Sequence, residues 1–435
     1  MHYLLNVLLL TTIALLTCIA FFPEPMPADS GSFTYAESGV TREMEPEVSE
    51  AEIAEVVRGN TEFAFDLYEM IGRECGNMIY SPYSISIALA MTYAGARENT
   101  AVEMADTMHY TLPEERLHPT LNALEQEIES HADQILGSGN EPLRLNVVNS
   151  IWGQQAYEFQ QPFLDTIARN YGAGLRLVDF VINPDQCRMT INDWVAQETE
   201  DKIQDLIPED IIDIMTRLIL VNAIYFKATW QKEFEPEDTE DGDFHIPDGR
   251  TVTVPMMKQT ETFGYTEGDG WQAIQLRYDG DTASMVIILP AEGRFREIES
   301  RQDAETVQNI IDSLDYRRVN LQMPRFEFES DFSLNQMLEQ LGMVDAFDMN
   351  AANFAGIDGL PDWLYIKAAI HKAFISVDEE GTEAAAATAV MMAGRGGPPV
   401  DEPIDFIANR PFIYLIRDVP TDAILFMGRV MNPAE

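Results

Sequence analysis

Six histidines are the candidates for general acid–base or nucleophile-activating chemistry, since imidazole alone titrates near neutrality without help. His2 lies in an apolar N-terminal run, while His109, His118, His131 and His245 sit among polar or acidic neighbours. His371 stands in an apolar, strand-like stretch, where a buried histidine satisfied by hydrogen bonds is the expected role. No GxSxG elbow, HExxH pair, Walker loop or GxGxxG turn occurs. The acidic run Asp238, Glu240, Asp241 and Asp243 fails as a calcium loop, because its twelfth position is Gly249 where a carboxylate is required. Cys18, Cys75 and Cys187 have no zinc-type spacing and allow at most one bridge, Cys75 to Cys187. No enzyme, metal or cofactor is expected.

Residues 381–390 offer chemistry of another kind. Their consecutive alanines favour a helix by propensity. Period two gives a different picture: Thr382, Ala384, Ala386, Thr388 and Val390 share one parity and are all uncharged. Glu383 lies on the other parity with Ala385, Ala387 and Ala389. As a strand, the segment could bury one face in a tight slot and keep its single charge in water. Gly394, Arg395, Gly396, Gly397, Pro398 and Pro399 follow as a permissive, exposed loop. Taken alone, the stretch also reads as an Ala-rich linker before a Gly/Pro loop.

The elements that must position this segment are mixed. Helical patterns begin near Phe63 and cover residues 84–96 and 192–203, while 145–152, 218–226, 283–289 and 365–377 are strand-like. Without regular strand–helix alternation, an α+β class is expected, with one large domain over residues 51–435. Residues 4–22 form an apolar run suited to an export signal or a membrane or lipid anchor. Residues 23–50, rich in Pro, Ser and acidic residues, read as a flexible tether. An extracellular or cell-surface location is expected. The net charge of −45, with 28 Lys and Arg against 73 Asp and Glu, argues against nucleic-acid or anionic-lipid partners. It fits a saline or halophilic source, or attraction of a basic protein.

Five separated motifs resemble the serpin family of serine protease inhibitors. Asp378-Glu379-Glu380-Gly381-Thr382-Glu383-Ala384-Ala385-Ala386 is similar to the hinge that opens the family's reactive loop. Phe406-Ile407-Ala408-Asn409-Arg410-Pro411-Phe412 resembles its carboxy-terminal signature, closed by Phe426-Met427-Gly428-Arg429-Val430 and Asn432-Pro433. Asn77-Met78-Ile79-Tyr80-Ser81-Pro82 resembles an early helix start. Residues 145–152 resemble one central strand, and Val221-Asn222-Ala223-Ile224-Tyr225-Phe226 through Trp230 another. The likeness extends from about residue 50 to 435 in the family's order.

The resemblance implies three β-sheets, about eight or nine helices and an exposed reactive-centre loop. It implies a suicide-substrate inhibitor whose loop, once cut, inserts into the main sheet and traps the acyl-enzyme, a behaviour general to the family. Counting from the hinge puts the reactive bond at Arg395–Gly396 and so implies a trypsin-like serine protease as covalent partner. Met391 or Met392 is the bait in a slipped register. The hinge comprises Glu379, Gly381, Thr382, Glu383, Ala384, Ala385, Ala386, Ala387 and Thr388. Ser81, Ser84, Asn222 and His371 match a hydrogen-bonded cluster beneath the opening sheet, and Trp230 a residue where the loop first inserts. No polyanion activator is expected, because residues 116–130 carry Glu125, Glu127 and Glu129 with scarcely a base. A monomer is expected. The reading leaves open a subtilisin-like or cysteine protease target, or a non-inhibitory member.

Overall fold

The computed structural model describes residues 33–73, 76–133, 144–361, 364–382 and 402–435. By contacts the chain divides into Met1–Ser32 and Phe33–Glu435, and only the second unit falls within the described residues.

The apolar run Leu218–Thr229 forms strand β5, buried along nearly its whole length. Alternation sorts its side chains into two cores. Leu218, Leu220, Ile224, Phe226 and Ala228 join the main core, whereas Ile219, Val221 and Ala223 face a second core with Trp152 and Trp194. Such a strand must be central, because neither face tolerates water. It lies in a seven-stranded sheet ordered β1 (Thr34–Ala36), β4 (Leu175–Val178), β3 (Arg144–Gln154), β5, β13 (Gly381–Thr382), β12 (Ala368–Val377) and β11 (Phe326–Ser333).

The second sheet has nine strands. It runs β14 (Ile404–Ile407), β10 (Asp315–Pro324), β7 (Thr251–Gly268), β8 (Trp271–Arg277), β9 (Ala283–Pro290), β15 (Phe412–Asp418), β16 (Ile424–Val430) and β2 (Met78–Tyr80), with β6 (Glu240–His245) beside β7. The 18-residue β7 pairs with β6 over its first residues, with β10 through its middle and with β8 through its last residues. Hydrogen bonding therefore links the three sheets expected of the family into two ladders. Ten α-helices lie among the described residues, one or two more than the resemblance implies.

Local sequence sets where the helices begin and end. Helix α1 (Glu50–Ile71) begins at a capping box, Ser49 with Glu52. Helix α2 (Pro82–Tyr93) starts at Ser81, whose side chain accepts from the Ser84 amide, and Pro82 sits at the first turn, where no amide is needed. All of α2 except Tyr93 is buried, as befits a helix apolar on every side. The run expected as a helix over 192–203 begins earlier and stops earlier, at Pro184–Glu198, because Asn183 caps it and Glu200 and Asp201 then turn left-handed.

Part of the expected tether is not free. Thr34–Ala36 adds an antiparallel edge strand to β4, and Phe33 meets the Trp152 ring edge-on at 4.9 Å. Arg42 then bonds Glu125 at 2.5 Å and Asn122 at 2.9 Å on the helix Glu114–Asp133. Composition alone could not show this, since the ordering contacts come from residues far along the chain. With Thr34 opposite Leu177, near the C-terminal end of β4, the chain meets this sheet at the start of β5.

Candidate functional site

The reversal after β12 is built by Asp378. Its Oδ1 accepts from the amides of Glu380 (3.0 Å) and Gly381 (3.1 Å), and its own amide donates to Gly381 O at 2.9 Å. The turn lays Gly381 and Thr382 antiparallel to both β5 and β12, with Gly381 opposite Thr229 and Thr382 opposite Ala228 and Val377. Gly381 is required here for space: a Cβ would meet Ala228 O at 2.1 Å and Thr229 Cα at 2.8 Å.

Trp230 holds this turn from three directions. Its amide donates to Glu380 O at 2.8 Å and its indole Nε1 to Asp378 O at 3.0 Å. The indole also stacks on Tyr278, with centroids 4.5 Å apart and planes 9° apart. Phe234 donates its amide to Glu379 O at 2.9 Å. The Glu379 carboxylate, itself buried, pairs with Arg325 and accepts from the Thr239 hydroxyl. Burial works against its ionised form, but the bonds from Arg325 and Thr239 outweigh that and hold the carboxyl below its ordinary range. Asp378 and Glu380 move the other way: burial raises both, and neighbouring carboxylates add to the rise.

Below the wedge the sheet is closed. Strands β5 and β12 pair in parallel from Ala368 opposite Ile219 to Phe374 opposite Tyr225. His371 stands opposite Asn222 in that ladder. The Ser81 amide donates to His371 Nε2 at 3.1 Å, so that nitrogen carries the lone pair and Nδ1 carries the proton it gives to Asn222 Oδ1. Asn222 Nδ2 in turn donates to Ser84 Oγ at 2.5 Å and to Asn149 Oδ1. Asn149 Nδ2 reaches Ser84 O at 3.1 Å. Burial pushes the imidazole down to about 3, so His371 stays neutral. Separating β5 from β12 must break the His371–Asn222 bond.

The sequence-derived residues thus fall into two groups within one sheet. Glu379, Gly381, Thr382 and Trp230 meet at the wedge, and Ser81, Ser84, Asn222 and His371 meet at the closed part below it. Glu383, Ala384, Ala385, Ala386, Ala387, Thr388, Arg395, Gly396 and the alternative baits Met391 and Met392 lie outside the described residues, as does Cys75 of the suggested bridge. Cys187 is a buried free thiol. Asn149, Tyr278, Arg325 and Thr239 were not read from the sequence. Asn149 could have been found as a polar residue inside the apolar strand pattern of 145–152; the other three have no local signal. No group of His, Cys, Asp or Glu among the described residues could hold a metal. What the arrangement can do is mechanical: it starts a new strand between two strands that are still paired below.

Comparison with known proteins agrees with this architecture. The family model described as Serpin (serine protease inhibitor) matches residues 58–433. An uncharacterized serpin-like protein of Thermococcus kodakarensis is 37% identical over 421 residues, covering 96% of both chains. Antithrombin-III of Mus musculus is 36% identical over 394 residues, covering 89% of this chain and 84% of that one. The thermophilic serpin tengpin in its native state superposes with a TM-score of 0.78 at 27% identity, covering 92% of this chain and 99% of that one. With a wedge at the head of its main sheet and a family match spanning most of its length, the chain belongs to the serpin family.

Proposed function

We propose that this serpin is a suicide-substrate inhibitor of a trypsin-like serine endopeptidase, cleaved at Arg395–Gly396. The observation that carries the proposal is the wedge: Gly381 and Thr382 pair with β5 and β12 where those strands have already parted. The next two residues would fill positions where β5 and β12 have already parted, and each one added beyond them would displace one step of the β5–β12 ladder and gain backbone bonds on both sides. Thr382 is 1% exposed, and residues of its parity down to Val390 are all uncharged, so the strand can enter without burying a charge. Residues 381–395 extended as a strand cover about 50 Å, enough to carry an attached protease the length of the domain.

Arginine at the bait suits a primary pocket with an aspartate at its base. We further propose that the protein acts outside the cytoplasm as a monomer. The apolar residues 4–22 support export or anchoring. The test is incubation with trypsin, then a denaturing gel and mass spectrometry. The expected result is an SDS-stable adduct and a carboxy-terminal fragment beginning at Gly396. Cleavage elsewhere refutes the bait assignment, and cleavage at this bond without any adduct refutes the trapping mechanism.

A further inference from the structure

A cavity of about 430 Å³ lies where the β6–β7 turn, the turn following β9 and the segment joining β14 to β15 come together. It shares no residue with the wedge or with the cluster around His371. Ile246, Pro290, Pro411 and Met431, all buried, contribute apolar surface, and Phe295 adds an aromatic ring.

Arg410 is the unusual member of this lining. Its Nε donates to Pro290 O at 2.8 Å, and its Nη1 donates to Ile407 O at 3.3 Å and Asn409 Oδ1 at 3.2 Å. Three neutral acceptors therefore fix the guanidinium plane. Its Nη2 has no hydrogen-bond partner among the described residues, and Arg410 forms no ion pair there. Of the three arginines lining the cavity, Arg410 alone lacks a carboxylate partner among the described residues. The other arginines of the cavity are matched: Arg250 pairs with Asp248 at 2.6 Å and Arg296 with Glu299 at 2.9 Å. Burial makes the Arg410 charge less comfortable than in water, and only Glu292, on the turn after β9, offsets this through space.

We propose that this cavity binds a small amphipathic monocarboxylate, with its carboxylate on Arg410 and its flat apolar body against Ile246, Phe295 and Met431. A half-desolvated guanidinium with a free N–H edge gains most from a planar oxyanion. The apolar walls favour an aryl or short aliphatic body, and the volume is that of a small-ligand site. Polyanions are disfavoured, because a single unmatched cation faces a protein of net charge −45.

Titration calorimetry on the full-length protein tests this, with 2-naphthoate as the probe and 2-naphthamide as its neutral isostere. The expected result is 1:1 binding of the acid, at least tenfold tighter than the amide. Arg410→Gln should abolish that preference, and Arg410→Lys should restore part of it. Arg250→Gln and Arg296→Gln should change the acid's affinity less than twofold. Ala291→Trp, which narrows the cavity without touching the cation, should abolish binding of both probes. Equal affinity for acid and amide, absence of binding, or acid binding unchanged in Ala291→Trp overturns the proposal. Should Arg410→Gln fail to fold, because its carbonyl contacts are lost, Arg410→Lys and Ala291→Trp still decide the matter.

Discussion

The hydroxyl of Thr382 lies 2.7 Å from the phenol oxygen of Tyr278, on the same ring that carries the Trp230 indole. The Thr382 side chain of β13 is therefore received by a hydroxyl partner in a fully buried pocket. Burial pushes the Tyr278 phenol well up, so it remains a neutral donor or acceptor at any working pH.

On the proposed mechanism, Thr382→Arg should leave a loop that is cut like an ordinary substrate and no longer traps its protease. Thr382 already lies buried in β13 with no carboxylate among its partners, so an arginine there would be an unpaired buried charge costing about 3–5 kcal/mol, and the strand would be expelled from the slot rather than held in it. The loop would then be cut and released before it could insert. The expected outcome is cleavage after Arg395 with no SDS-stable complex, while Thr382→Ser keeps trapping. A stable complex with Thr382→Arg would contradict insertion through this slot.

Glu379→Gln should loosen the wedge. It removes the charge that Arg325 pairs with and weakens the bond from Thr239, a loss of about 1.5–3 kcal/mol for a buried charged acceptor. The folded pKa of Glu379 is below its unfolded value, so the stability it contributes is complete above about pH 4.3 and is lost as pH falls through the folded pKa. Urea unfolding should separate the two proteins at pH 7.5, and the gap should narrow as pH falls below about 4.3. A gap that persists in acid would mean the carboxylate is not the source.

His371 should make stability depend on pH in the opposite experiment, at mild acidity. Its folded pKa is near 3 and its unfolded value about 6.5, so between these the unfolded chain holds a proton that the folded one lacks. Stability then falls as pH drops, by about 1.4 kcal/mol per pH unit well inside the window. His371→Gln can still accept from the Ser81 amide and donate to Asn222, yet does not titrate. The unfolding free energy should change less between pH 6.0 and 5.0 in the variant, by about 1 kcal/mol. Equal slopes would show that His371 is protonated in the fold or plays no part.

Arg42→Ala should detach the segment before α1. Arg42 bonds Asn122 and Glu125, and burial raises the Glu125 carboxyl to about 7 despite that cation. Removing the cation leaves a buried carboxyl without its ion, so a loss of about 1–3 kcal/mol is expected at pH 8. The loss should shrink at pH 6, where Glu125 takes up a proton. Hydrogen exchange at Tyr35 should rise in the variant, and protection unchanged there would show that β1 holds without the Arg42 tie.

Much of the wedge was legible in the sequence because its requirements are local. Period two along 381–390 exposes small uncharged residues on one side, and only Gly381 clears Ala228 O. The apolar run of β5 announces a strand buried on both faces. Asn222 and His371 were reached through resemblance, but nothing in their neighbours says that they share a proton. That bond exists because parallel pairing brings residues 149 positions apart into register. The same holds for Arg325 on Glu379, for Tyr278 on Thr382, and for the strand that residues 34–36 add to β4. Local spacing determined which segment could become a strand and which of its faces could be buried. Tertiary structure alone decided where that strand starts and what closes the sheet beneath it, because those depend on groups brought together only by folding.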